Sequence, residues 1–200
     1  MLYGEQVPSG KLPITWPRSS GQVPIYYNHK ATGRPPNDSN YTRIEKINPN
    51  LTWQHEPGNS SNYLDYGHTP QFPFGYGLSY TSFEYSTLQT ETTDDSIQIE
   101  FTIQNTGSRK GKEIAQIYIS KSDSVVYRPY KELKGYDKIE LEPDQSKVVQ
   151  IDIPLESIAI YNEDDFKVES GTYSILIGAS SKDIRLSSTI EIGSEDLITP

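Results

Sequence analysis

The sequence predicts a mainly β protein: an immunoglobulin-like sandwich of about seven short strands, preceded by a loop-rich extended segment. Two observations predict this fold. Apolar and polar residues alternate in several runs after residue 80, which is the pattern of half-buried strands. Before residue 80 no apolar period is sustained, and ten of the fourteen prolines crowd this part. The composition therefore places a boundary near Tyr80.

The first eighty residues lack the pattern of an independent domain. Residues 10–17 (GKLPITWP) and 23–28 (VPIYYN) can each form a short edge strand, and the remainder is expected to be long loop. Because so long a structureless stretch is unusual in a compact domain, we expect it to lean on another part of a larger protein. The stretch 70–86, PQFPFGYGLSYTSFEYS, combines aromatic rings with Pro and Gly, and so predicts an irregular but packed segment.

The second part contains seven predicted strands. The clearest is 96–105, SIQIEFTIQN, in which apolar residues at 97, 99, 101 and 103 share one face and polar residues the other. The other six are residues 83–89, 113–120, 133–141, 146–153, 171–178 and 184–192. Two of the connections are turn sequences, in which Pro143-Asp144 and Gly171 supply the backbone geometry. Tyr173 opens the penultimate strand, where such sandwiches often carry a corner tyrosine; ordinary packing in a strand is the alternative.

Composition argues against several classes of function. The formal charge of −9 and pI near 4.8 argue against nucleic acid or an anionic membrane surface as a partner. The absence of cysteine excludes disulfides, thiolate chemistry and cysteine-based zinc sites. No apolar run approaches the roughly 20 residues of a membrane span, and the first residues lack a secretory signal. The compartment stays open, since a signal can lie on a part of the gene outside this chain.

Few residues point to chemistry. His29, His55 and His68 lack metal-ligand spacing, and neither a Gly-x-Ser-x-Gly elbow nor a phosphate-binding loop occurs. The run 162–166, NEDDF, gathers three carboxylates; a solvated acidic turn is favoured over a calcium site. The run 26–35, YYNHKATGRP, can hydrogen-bond sugar hydroxyls, with a structural loop as the favoured alternative. We therefore assign no catalytic, cofactor-binding or metal residue and expect no cofactor.

The order of longer motifs resembles the C-terminal portion of glycoside hydrolase family 3 enzymes, of the β-glucosidase and β-xylosidase type. The similar stretches are PSGKLPITWPRSSGQVPIYYNHKATGRP, FPFGYGLSYTSFEYS, NTGSRKGKEIAQIYIS, RPYKELKGYDKIELEPDQS and VESGTYSILIGASSKDIRL. The resemblance runs from about Gly4 to Ile192. It implies that residues 1–35 are a remnant of an α/β sandwich domain, 36–82 a connector, 83–193 a fibronectin type III-like domain and 194–200 a tail.

The resemblance also implies an activity for a larger parent enzyme. Such enzymes are retaining β-glycosidases, with an aspartate nucleophile on an N-terminal barrel and a glutamate acid/base on the α/β domain. Neither position can be matched here: the nucleophile lies in a Ser-Asp-Trp type motif, but Trp16 follows Thr15 and Trp53 follows Thr52. The acid/base lies upstream of PSGKLP. We therefore expect this chain to be inactive alone and structural within the parent, and Met1 to begin a truncated gene, a fragment or an engineered product.

The implied partners are the parent's barrel and α/β domains and, through them, a β-glycoside; no nucleic acid or membrane is implied, and a periplasmic or secreted parent is suggested. The chief rival is a stand-alone carbohydrate-binding or adhesive sandwich with an aromatic platform. Candidate members are Tyr127, Tyr130, Tyr136 and Tyr161, although such tyrosines are more often packing residues. A third possibility is association with a separately encoded catalytic subunit.

Overall fold

The computed structural model describes residues 3–30, 49–50, 67–162, 165–193 and 196–197. Within these residues regular structure is almost entirely β, and the first strand begins at residue 83. The strands are β1 (Phe83–Thr92), β2 (Ser96–Asn105), β3 (Gly111–Ser120), β4 (Glu132–Leu141), β5 (Ser146–Pro154), β6 (Ile160–Asn162), β7 (Asp165–Val168), β8 (Gly171–Gly178), β9 (Ile184–Ile192) and β10 (Asp196–Leu197). Two short 3-10 helices, Ser20–Gln22 and Leu155–Ile158, complete the described elements. Neither is long enough to cross a membrane.

Seven of the strands form two antiparallel sheets, ordered β1-β2-β5 and β4-β3-β8-β9. The alternating apolar residues of β2 are all buried in one hydrophobic core with apolar residues of both sheets. Ile97 pairs with Ile153 and Ile99 with Ile151 in the neighbouring β5. The predicted sandwich of seven strands is therefore confirmed, and β2 has the clearest alternating pattern among them.

A small third sheet, ordered β10-β7-β6, was not predicted. The hairpin β6–β7 brackets the acidic run, with Asn162 opposite Asp165 at its end. The run 162–166 was predicted to be a solvated acidic turn. Its flanking residues belong to the two hairpin strands, while Glu163 and Asp164 lie outside the described residues. The two strands span three and four residues, too few for an alternating pattern to stand out.

The predicted turn and corner residues are confirmed. Asp144 has φ 61° and Gly171 has φ 112°, a conformation that glycine and, less readily, aspartate adopt. The Tyr173 hydroxyl donates a hydrogen bond of 2.9 Å to the backbone carbonyl of Glu169. This hydrogen bond makes Tyr173 the corner tyrosine. Its side chain is also fully buried, so it packs in the core as well.

The prediction of two edge strands in the first part of the chain was wrong. Residues 10–17 and 23–28 form no strand, and the only pairings are single bridges of Trp16 with Phe72 and Lys30 with Pro129 among the described residues. Prolines at 13, 17 and 24 lack the N–H that a ladder requires, which explains why pairing stops after one bridge.

Candidate functional site

The first part of the chain is fastened to the four-stranded sheet through an irregular joint, which we define as residues 10–17 with 70–82. The two halves of the joint are hydrogen-bonded to each other: the Trp16 N–H donates to the Phe72 carbonyl at 2.8 Å, and the Gly75 N–H donates to the Leu12 carbonyl at 2.8 Å. Just beyond it, the buried Gln22 side chain donates to the carbonyls of Gly67 and Thr69. In the joint, these backbone hydrogen bonds and the single bridge of Trp16 with Phe72 take the place of the strand expected at residues 10–17.

The buried side chain of Gln116 on β3 ties the joint to the sheet. Its Nε2 donates to the carbonyl of Gly75 at 3.1 Å and to that of Ala179 at 2.8 Å. Its Oε1 accepts a hydrogen bond of 2.6 Å from the Tyr118 hydroxyl. Because a buried amide is costly unless its polar atoms are paired, this fully paired side chain defines one position of the joint on the sheet.

Gly75 must be glycine for this contact to form. Its φ is 78°, and a Cβ built there would lie 1.9 Å from Gln116 Oε1. The glycine at this position in the segment FPFGYG is thus explained by close approach and by backbone conformation together.

Aromatic rings fill the space between the first part and the sheet. Tyr27 stacks on Phe74 with ring centroids 4.3 Å apart and meets the Tyr118 ring at 5.8 Å. The Tyr27 hydroxyl accepts a hydrogen bond of 3.2 Å from the Leu133 N–H. Phe72 stacks on Tyr76 at 5.0 Å. These contacts confirm the predicted irregular but packed structure for residues 72–76, whereas 83–86 belong to the regular strand β1 and Leu78 and Tyr80 are exposed.

Charged groups connect the same two parts. Lys11 forms an ion pair of 2.9 Å with Glu113, and both side chains are largely buried. The Tyr85 hydroxyl donates to Glu113 at 3.3 Å. Burial raises the pKa of Tyr85 well above its ordinary value, and the nearby Glu113 carboxylate raises it further. The phenol therefore stays protonated as a hydrogen-bond donor.

The long β3–β4 connection, residues 121–131, is held by a buried ion pair. Glu169 accepts hydrogen bonds from the Ser124 hydroxyl at 2.6 Å, the Val125 N–H at 2.8 Å and Arg128 Nη1 at 3.1 Å. Burial alone would raise the pKa of Glu169, but these hydrogen bonds and the Arg128 charge together hold its pKa below the ordinary value. Arg128 also donates to the Ile158 carbonyl at 2.8 Å. The connection is therefore a fixed structure.

The candidate residues from the sequence are only partly brought together. His29 meets Tyr130 edge-on at 5.0 Å, and the Tyr130 N–H donates to the His29 carbonyl at 3.2 Å. Lys30 lies 5.6 Å from the centroid of the Tyr127 ring. His29 and Lys30 thus pack on the β3–β4 connection, whereas 31–35 and His55 lie outside the described residues. No group of histidine and acidic side chains in the described part of the chain could hold a metal ion.

The four tyrosines of the expected platform are all exposed, but they are spread over three elements of the fold. Tyr127 and Tyr130 lie in the β3–β4 connection, Tyr136 on β4 and Tyr161 on β6. The ring of Tyr161 meets that of the exposed Phe166 edge-on, with ring centroids 5.2 Å apart and an interplanar angle of 63°. Sequence reasoning missed the pairs Gln116 with Gly75 and Arg128 with Glu169, since their partners are 41 residues apart and no local pattern marks them.

Comparisons with known proteins agree with this architecture. The model of the glycosyl hydrolase family 3 C-terminal domain matches residues 1–80, and that of the fibronectin type III-like domain matches residues 113–181. A periplasmic beta-glucosidase of Salmonella typhimurium is 38% identical over 190 residues, which are 92% of this chain and 23% of that protein. A putative beta-xylosidase of Formosa agariphila is 40% identical over 193 residues, which are 94% of this chain and 22% of that protein.

Solved structures are similar over the same extent. A beta-glucosidase of Listeria innocua aligns with a TM-score of 0.80 at 34% identity, covering 96% of this chain and 25% of that one. Beta-glucosidase 3B of Thermotoga neapolitana, in complex with glucose, aligns with a TM-score of 0.75 at 33% identity. The alignment covers 100% of this chain and 26% of that one. The chain thus spans about a quarter of the length of the relatives it matches.

Proposed function

The chain belongs to glycoside hydrolase family 3 as a C-terminal portion of such an enzyme, and from this we propose that it serves the retaining hydrolysis of terminal β-glycosidic bonds by positioning the catalytic body. In this role the sandwich is a rigid domain, and the joint connects it to the barrel and α/β domains of the parent. The domain limits proposed for this role are 1–35, 36–82, 83–193 and a tail at 194–200.

The observation that carries the proposal is an apolar surface on the first part of the chain. One groove contains Leu12, Trp16 and Leu78, and a neighbouring one contains Ile14 and Val23. Trp16 is 50% exposed, Val23 64% and Leu78 72%. Grouped exposed apolar side chains mark interaction surfaces in soluble proteins. Since the matched relatives are about four times longer than this chain, the proposed occupant of these grooves is the body of the parent.

Inactivity of the isolated chain follows from the chemistry of retaining hydrolysis. The reaction needs one carboxylate to attack the anomeric carbon and a second, about 5 to 5.5 Å away, to protonate the leaving oxygen. Both must be held in place around a distorted sugar. Asp165, on the short β7 of the hairpin, is not proposed as a substitute.

The test is a chimera with the Salmonella typhimurium relative. Its matched C-terminal part is removed and then replaced by this chain, either fused or added in trans, and release of nitrophenol from aryl β-glucoside and β-xyloside is measured. We expect this chain alone to be inactive, the truncated relative to be inactive, and the fused chimera to regain activity. Recovery in trans would instead favour a separately encoded catalytic subunit.

Matched variants test whether the apolar grooves are the contact. Trp16→Asp in the chimera should reduce the recovered activity at least tenfold, because it places a charge in the proposed interface. Val148→Asp is the control: Val148 is also about half exposed but lies on β5 of the opposite sheet, so activity should persist. A folded but inactive chimera, or equal effects of the two variants, would contradict the proposal.

The second candidate function is carbohydrate binding by the chain itself, favoured by the exposed pair Tyr161 and Phe166. Retention of the purified chain on insoluble β-glucan, abolished by Tyr161→Ala, would support it. Lack of retention would leave positioning as the function.

A further inference from the structure

A cleft of about 400 Å³ lies between the first part of the chain and the sandwich. We call it the tyrosine–lysine cleft, because its lining includes Tyr26, Tyr27, Tyr130, Lys131 and Lys182. Its volume falls within the roughly 300–1,000 Å³ of small-molecule sites. The cleft combines aromatic rings with two lysines.

The charge of the cleft is opposite to that of the chain. The protein carries a formal charge of −9, yet none of the described residues that line the cleft is acidic. Lys131 donates to the Ser181 carbonyl and lies 5.5 Å from the Tyr118 ring centroid. In the described part of the chain, neither Lys131 nor Lys182 has a carboxylate within ion-pair distance. Lys131 is therefore a half-buried cation that lacks a counter-ion there.

The two lysines are close enough to affect each other. Burial lowers the pKa of the Lys131 ammonium, and the neighbouring positive charge of Lys182 lowers its pKa further. Like charges in a partly desolvated site disfavour the charged forms, whereas an opposite charge between them favours both. An anion in the cleft would remove this repulsion.

The aromatic walls are already held in position. Tyr27 is fixed by its stacking on Phe74, and Tyr130 is fixed by the His29 ring and by its backbone bond to His29. Tyr26 and Tyr130 nevertheless remain 63% and 43% exposed. Such rings offer apolar faces to a flat ligand, while their hydroxyls can exchange hydrogen bonds with it. Preorganised walls lower the entropy cost of binding.

We propose that the tyrosine–lysine cleft binds a pyranose that carries an anionic group, either the carboxylate of a uronic acid or the phosphate of a sugar phosphate. Lys131 and Lys182 receive the anion, and Tyr26 and Tyr130 cover the sugar ring. The proposal goes beyond the positioning role. Tyr130, Lys131 and Lys182 line neither apolar groove, whereas Tyr26 also lines one of them.

The test is isothermal titration of the purified 200-residue chain with four probes: glucuronic acid, glucose 6-phosphate, glucose and inorganic phosphate. We expect at least one anionic sugar to bind at least tenfold more tightly than both glucose and inorganic phosphate. Tighter binding of glucuronic acid identifies a uronic acid as the ligand class, and tighter binding of glucose 6-phosphate identifies a sugar phosphate. Equal binding of glucose, equal binding of inorganic phosphate, or no binding of any probe overturns the proposal.

Variants then assign the binding to this cleft. Lys131→Gln should weaken the binding of the anionic sugar at least tenfold, because hydrogen bonds to a charged group are strong in a half-buried site. Lys182→Gln, at an exposed position where folding should be unaffected, should weaken it about threefold to fivefold. Lys138→Gln removes an equally charged, exposed lysine on β4 and should leave affinity unchanged. Unchanged affinity in both cleft variants would place the ligand elsewhere and overturn the proposal.

Discussion

Substitution of Gly75 by alanine should release the joint from the sandwich. The added Cβ would overlap Gln116 Oε1, and the φ of 78° is unfavourable for alanine. The strained backbone costs about 1–2 kcal/mol. Displacing Gln116 also removes its three buried hydrogen bonds, worth about 1 kcal/mol each. We therefore expect a loss of roughly 4–5 kcal/mol in the free energy that holds the joint on the sheet.

Urea denaturation followed by two probes separates this effect from unfolding of the sandwich. Both tryptophans, Trp16 and Trp53, precede residue 80, so tryptophan fluorescence reports on the first part of the chain. Far-UV circular dichroism reports mainly on the strands. In Gly75→Ala the fluorescence transition should move to lower urea by more than the dichroism transition. Gly10→Ala is the control, since no atom lies within 4 Å of its added Cβ. A loss below about 1 kcal/mol for Gly75→Ala would refute the reasoning.

Three further predictions concern the sandwich and its long connection. Ile99 is 2% exposed and Gln98 beside it is exposed, so Ile99→Asp should cost roughly 3–5 kcal/mol and Gln98→Asp under about 1 kcal/mol; equal melting temperatures would refute the assigned register. Tyr173→Phe removes the buried hydroxyl that donates to the backbone and should lower the free energy of unfolding by about 1–2 kcal/mol, and an unchanged urea midpoint would argue against the corner role. Folding lowers the pKa of Glu169 from its ordinary value of 4.5. Its carboxylate therefore stabilises the fold at pH values above 4.5, and this stabilisation is lost as the pH falls through the lower pKa of the folded state. Glu169→Gln should therefore show a smaller loss of melting temperature below about pH 4.5 than the native chain, and an identical acid profile would count against the ion pair with Arg128.

The sequence predicted those parts of the fold that depend on local pattern. Residues 96–105 alternate without interruption, so strand β2 and the inward direction of Ile99 followed from the order of residues alone. The hairpin of β6 and β7 was missed because neither strand is long enough to display a period. Residues 70–86 were predicted to be packed from their aromatic content, but Gln116 could not be paired with Gly75 from sequence, since contacts between distant residues leave no local pattern.

The two sheets differ in a way that bears on the choice between a positioning domain and a stand-alone module. Strand β2 alternates buried and partly exposed residues, whereas residues 115–119 of β3 are buried without interruption. An antiparallel sheet that faces water on one side alternates, and a sheet covered on both sides does not. The outer face of the four-stranded sheet is therefore covered by the first part of the chain, with Tyr118 as a fully buried side chain there. Residues 83–193 without the first part of the chain would leave Gln116 and Tyr118 exposed to water, so these residues favour a sandwich that works together with the first part.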